Sequence, residues 1–90
     1  MVWVIGGMGN TQSVSYRTSY YEPYYDRWYE GPQLIYGRYG HSCATTEYLN
    51  GTAIVVAGGY GEYNNIIDSV EFLYSGDYNF GWKRGKIMVV

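Results

Sequence analysis

Two apolar runs in this chain end in a glycine pair: Val2–Ile5 runs into Gly6 and Gly7, and residues 53–57 run into Gly58 and Gly59, 52 positions later. Trp28 returns as Trp82, and the Gly31 that follows it returns as Gly85, both 54 positions on. A unit of about 50 residues with paired glycines and a later aromatic marks repeat arrays such as propellers and solenoids. In such arrays each unit buries a face against its neighbour instead of closing a core of its own. The chain is therefore read as one unit written nearly twice.

The composition agrees with short strands and tight corners. Of 90 residues, 13 are Tyr, 3 Trp, 2 Phe and 13 Gly, with only 2 Pro. Aromatics favour strands and glycines favour turns. A net charge of -2 supplies no field for phosphate backbones, so nucleic acid is not an expected partner. Cys43 is the single cysteine, which excludes an internal disulfide and a cysteine-rich metal site and favours a reducing, cytoplasmic location. The longest apolar runs are about five residues against the roughly 20 needed to span a bilayer, and no signal segment opens the chain, so no membrane association is expected.

Strands are expected at Val2–Ile5, at residues 15–21, which stop at Glu22-Pro23, and at 27–29. Residues 40–49 and 52–58 should form a hairpin turned by Asn50-Gly51. That turn signal explains Asn50-Gly51-Thr52 better than its match to a glycosylation acceptor does. A further strand is expected at 67–73, followed by a turn at 75–79 and a last strand holding Trp82. No segment carries apolar residues at helical spacing, so the fold class is all-β, with small antiparallel sheets of four strands.

The glycine pair after an apolar strand, the aromatic Tyr21 with Trp28 seven positions later, and the run Arg38-Tyr39-Gly40-His41-Ser42 together resemble the kelch repeat, the blade unit of kelch-type β-propellers. The resemblance covers almost the whole chain. It implies a partial repeat at residues 1–37 and a nearly complete one at 38–90. It also implies structural roles for Gly6, Gly7, Gly58 and Gly59 at strand exits, and for Tyr21, Trp28 and Trp82 as packing between sheets. In the second copy the aromatic spacing departs from this, since Tyr74 precedes Trp82 by eight and Leu73 by nine. A propeller closes with about four to eight blades. On this reading the chain is a fragment cut at both ends, Met1 is an internal methionine, and further blades of the same propeller are its first partners.

Chemistry finds little purchase. His41 and Cys43 would share a strand face, but the resemblance puts them in the innermost strand of a blade, where a buried thiol and a hydrogen-bonded imidazole are ordinary packing. Gly7-Met8-Gly9 and Gly59-Tyr60-Gly61 fail as nucleotide loops, because Gln12 and Asn64 stand where a third glycine belongs and no helix follows. The carboxylates, among them Glu22, Asp26, Glu47 and Glu71, show no spacing that pairs two of them. No catalytic residue, metal site or cofactor is assigned.

What remains is the loops. The resemblance implies that those after the glycine pairs and the one leading into the Arg-x-Gly-His run line one face and bind other proteins. The candidates are Tyr60, Tyr63, Asn64 and Asn65 from one loop and Tyr36 and Arg38 from the other, since Tyr and Arg supply buried anchors at interfaces; Arg38 also belongs to the repeat pattern itself, which offers a structural role near the channel as its alternative. The expected function is a protein-binding module, either a substrate-recruiting adaptor for a ubiquitin ligase or an actin-associated scaffold. The alternatives are a propeller enzyme resembling galactose oxidase, with copper held by His and Tyr, and a Tyr- and Gly-rich secreted structural protein.

Overall fold

The computed structural model describes residues 2–9, 13–48, 51–74 and 81–86. Seven strands follow in chain order: β1 (Val2–Ile5), β2 (Thr18–Glu22), β3 (Arg27–Glu30), β4 (Ser42–Tyr48), β5 (Gly51–Ala57), β6 (Val70–Tyr74) and β7 (Lys83–Arg84). Strands β1 to β3 make one antiparallel sheet and β4 to β7 another, each in sequential order. The only helical turn among the described residues is a 3-10 turn at Glu62–Asn64. The fold is all-β, and no helix among the described residues is long and apolar enough to cross a membrane.

Register shows how alike the two sheets are. Ile5 pairs with Thr18 and Ala57 with Val70, so each residue of the first pair stands 52 positions before its counterpart. Ser19 pairs with Glu30 and Glu71 with Arg84, which sets β3 against β7 at 54 positions and aligns Trp28 with Trp82. The hydrogen bonds repeat too. Gly6 N donates to Arg17 O at 2.9 Å as Gly58 N does to Ser69 O at 3.2 Å, and Gly31 N donates to Thr18 O at 2.9 Å as Gly85 N does to Val70 O at 2.7 Å. In this register Leu73 occupies the place of Tyr21, because each lies opposite the matching residue of β5 or β1.

Some expected boundaries move. Strand β2 begins at Thr18 and not at residue 15, because Ser15 N is held by Gly7 O at 2.8 Å; Ile67 N is held by Gly59 O at 2.9 Å in the same way ahead of β6. Gly51 is already paired, with Tyr48, and is therefore not a turn residue as the Asn-Gly pattern implied. Asn50 and the expected turn at 75–79 lie outside the described residues. Trp82 stands immediately before β7.

Alternation along each strand divides its side chains between two faces. One face of the first sheet carries Val2, Val4, Tyr21 and Trp28; the other carries Trp3, Ile5, Tyr20 and Tyr29. Trp3, Tyr20 and Tyr29 form a row of rings at 4.8 and 5.3 Å. The core lies between this second face and the first face of the β4–β7 sheet, where Ile54, Val56, Leu73 and Trp82 are buried with Leu34, and Trp3 and Ile5 pack against them. Each such side chain contributes about 1.5 to 3 kcal/mol relative to exposure.

The two tryptophans fare differently. Trp82 is 6% exposed, and its Nε1 donates to Pro32 O at 2.9 Å. Trp28 is 57% exposed within these 90 residues. Its ring does meet Tyr21 at 5.2 Å, as the spacing implied, but the pair lies on the sheet face that these 90 residues leave uncovered.

Candidate functional site

The two glycine-pair loops lie on either side of the segment that joins the sheets. Gly7 N donates to Arg38 O at 2.8 Å, and Tyr39 and Tyr60 exchange both backbone hydrogen bonds at 2.9 Å. This close passage explains why glycine is required. Gly6 (φ +66°) and Gly59 (φ +90°) adopt angles that L side chains resist, and a Cβ would fall 2.6 Å from Arg38 O at the first and 2.6 Å from Tyr39 O at the second. The loops are themselves alike: Gly9 N donates to Ser13 O at 3.0 Å and Gly61 N to Asn65 O at 2.8 Å.

Between the loops opens a cleft of about 390 Å³. The first loop lines it with Met8, Ser13 and Val14, the second with Glu62, Tyr63 and Asn64, and Tyr39 lies between them. The Tyr39 and Tyr60 rings stand 5.6 Å apart, and the Tyr39 hydroxyl donates to Asn64 Oδ1. Tyr63 and Asn64 both hold left-handed angles, φ 58° and 59°. Asn tolerates that region, whereas a bulky residue there is an outlier of the kind that gathers at functional sites. Tyr63 is 93% exposed, so the conformation presents its ring to solvent at the cleft edge.

The expected site residues therefore separate. Tyr63 and Asn64 line the cleft, and Tyr60 stands beside it through its contact with Tyr39. Asn65 is exposed and serves the loop through its backbone. Tyr36 lines a different hollow, with Ile66, Ile67, Asp68, Ser69 and Arg84, and the Arg84 guanidinium lies 5.5 Å from its ring centre.

Arg38 is a correction. Its side chain is fully buried and cannot meet a partner. Nη1 donates to Gly58 O at 3.1 Å and Ser69 O at 2.9 Å, while Nη2 donates to Ser69 Oγ at 3.1 Å and pairs with Glu71 Oε2 at 2.7 Å. Glu71 also accepts from Ile35 N at 2.6 Å and Tyr36 N at 3.0 Å. The pair thus ties the joining segment to the exit of β5 and to β6, and holds the backbone on which Tyr39 rides.

Sequence reasoning missed Met8, Ser13, Val14, Tyr39 and Glu62 as cleft residues. The repeat carried the signal for two of them, since Met8 pairs with Val14 as Tyr60 does with Ile66, 52 positions on. It also left Glu71 among unassigned carboxylates, because a link from β6 to a loop more than thirty residues away has no local pattern.

Cys43 is exposed, not a buried packing thiol. Desolvation pushes its thiol up, with Arg38 opposing. Burial lowers the His41 imidazole, Arg38 lowers it further, and a backbone hydrogen bond with Ile5 works the other way. An activated thiolate and imidazolium would need both shifts reversed. His41 Nδ1 is buried without a hydrogen-bond partner among the described residues, and no three His, Cys, Asp or Glu side chains there converge as a metal site would require. No family model matches the chain, and no curated protein is significantly similar to it.

Proposed function

We propose that this chain is a pair of kelch-type repeat units from a β-propeller and works as a protein-binding module, without catalysis of its own. The observation that carries the reading is the cleft between the two equivalent glycine-pair loops, with Tyr63 held in a left-handed conformation and projecting beside it. A Tyr, Met and Asn lining around one carboxylate, Glu62, suits a protein surface: aromatics anchor, while amides and hydroxyls adapt. The sequential antiparallel sheets and the hydrogen bonds repeating at 52 and 54 positions support the repeat reading. An adaptor that recruits substrates to a ubiquitin ligase and an actin-associated scaffold both use such a module.

The test is paired alanine substitution in the protein that contains this chain, with partners captured and identified by mass spectrometry. Tyr63→Ala should reduce recovery of a specific partner at least tenfold. Tyr24→Ala, also highly exposed but on the β2–β3 turn, should leave recovery unchanged. Equal recovery by both variants, or loss with Tyr24→Ala alone, would refute the loop-face reading.

A further inference from the structure

Among the described residues, Glu62 is the one charged side chain that lines the cleft between the glycine-pair loops, and none of the chain's six basic residues reaches it. Arg38, the basic residue next to Tyr39 in the chain, is spent on Glu71. The Glu62 side chain is exposed, and no cation among the described residues pairs with its carboxylate. Tyrosine rings gather at the same place: Tyr63 follows Glu62 directly, and Tyr39 lines the cleft with the Tyr60 ring 5.6 Å away. A carboxylate without a partner, set among aromatic rings, is the chemistry that holds a guanidinium or an ammonium group, through charge-assisted hydrogen bonds and the negative faces of the rings. An anionic segment would meet repulsion there and no compensating cation.

The loop does not require these two side chains for its own shape. The hydrogen bond from Gly9 N to Ser13 O closes the first loop as that from Gly61 N to Asn65 O closes the second, yet 52 positions before Glu62 and Tyr63 the sequence has Asn10 and Thr11. Taking the cleft as the partner-binding face, we propose that it receives an arginine or lysine side chain from a basic segment of the partner protein. The cation sits beside Glu62 under the Tyr63 ring, and its aliphatic stem lies along Met8 and Val14 of the facing loop. Asn64 holds the segment's backbone: its Oδ1 is engaged by the Tyr39 hydroxyl, which leaves its amide nitrogen to donate to a partner carbonyl. A cleft of about 390 Å³ is the size of a small-ligand pocket, so it takes one side chain with its adjoining backbone and not a folded surface.

The probe is a library of random dodecapeptides, selected in parallel on the protein that contains this chain and on its Glu62→Lys variant. Glu62 is exposed, so reversing its charge leaves the core undisturbed. The parent should enrich peptides that share an arginine or lysine at one position, and the variant should lose that preference. In fluorescence anisotropy an enriched peptide should bind Glu62→Gln about fivefold more weakly than the parent. Changing the peptide's basic residue to glutamine should cost as much, and the two changes together no more, as holds for groups in contact. Selection without a basic preference, an acidic consensus, or the same preference on both proteins would overturn the proposal. Peptides weakened by Tyr63→Ala but by neither Glu62 variant would overturn the cationic occupant and leave loop-face binding in place. Peptides indifferent to all three variants would overturn both.

Discussion

Glu71 accepts from two backbone amides and one guanidinium while fully buried, so three groups of the joining segment depend on one carboxylate of β6. Removing one member of a buried pair leaves the other charge without compensation, at about 3 to 5 kcal/mol. We predict that Glu71→Ala lowers the unfolding free energy by about that amount in urea titration. The double variant Arg38→Met, Glu71→Leu should recover only part of the loss, because Ile35 and Tyr36 still lack an acceptor. A cost below about 1 kcal/mol would mean that water reaches the pair. At His41 the sign follows from burial. The folded imidazole binds protons less readily than the unfolded one, so its contribution is complete above the ordinary value of 6.5 and is lost as pH falls below it. The urea midpoint should drop between pH 7 and pH 5, and His41→Gln should flatten that part of the profile. An unchanged slope in the variant would assign the loss to other groups.

Among the elements, the strands were the most legible part and their ends the least. Apolar runs of β-branched residues or tyrosines marked β1, β2, β5 and β6, because strand preference is local to a pleated surface. Where β2 and β6 begin was not visible, since Ser15 and Ile67 are diverted to the carbonyls of Gly7 and Gly59 across the loops. The glycine pairs were visible as breaks, but the equivalent second glycines of the two pairs answer to different constraints. Gly7 has φ +104° with no atom within 4 Å of the place a Cβ would occupy, whereas Gly59 has the Tyr39 carbonyl 2.6 Å away. We expect Gly7→Ala to cost about 1 to 2 kcal/mol, the usual penalty for a left-handed residue. Gly59→Ala should cost clearly more, since backbone must also move. Equal shifts in thermal unfolding midpoint would show that the close approach is absent.

At the scale of the whole molecule, burial is decided by which face finds a cover. Trp82→Ala should cost about 3 to 5 kcal/mol, through a core cavity and a lost hydrogen bond to Pro32. Trp28→Ala in this chain should cost less than about 1 kcal/mol. Chemical denaturation of both at low protein concentration checks this, and similar losses would mean Trp28 is covered. The amino-acid sequence alone determined the all-β character, the hairpin that became β4 and β5, the 52 to 54 residue period and the glycine pairs that end an apolar strand in each unit, because pleat alternation and backbone angle are properties of neighbouring residues. Only the tertiary structure decided that Arg38 is buried on Glu71, that Tyr39 joins the cleft, and that one tryptophan is core while its twin is surface. Those outcomes depend on contacts between segments far apart in the chain, and two copies of one pattern acquire different surroundings when one lies inside the stack and the other at its open face.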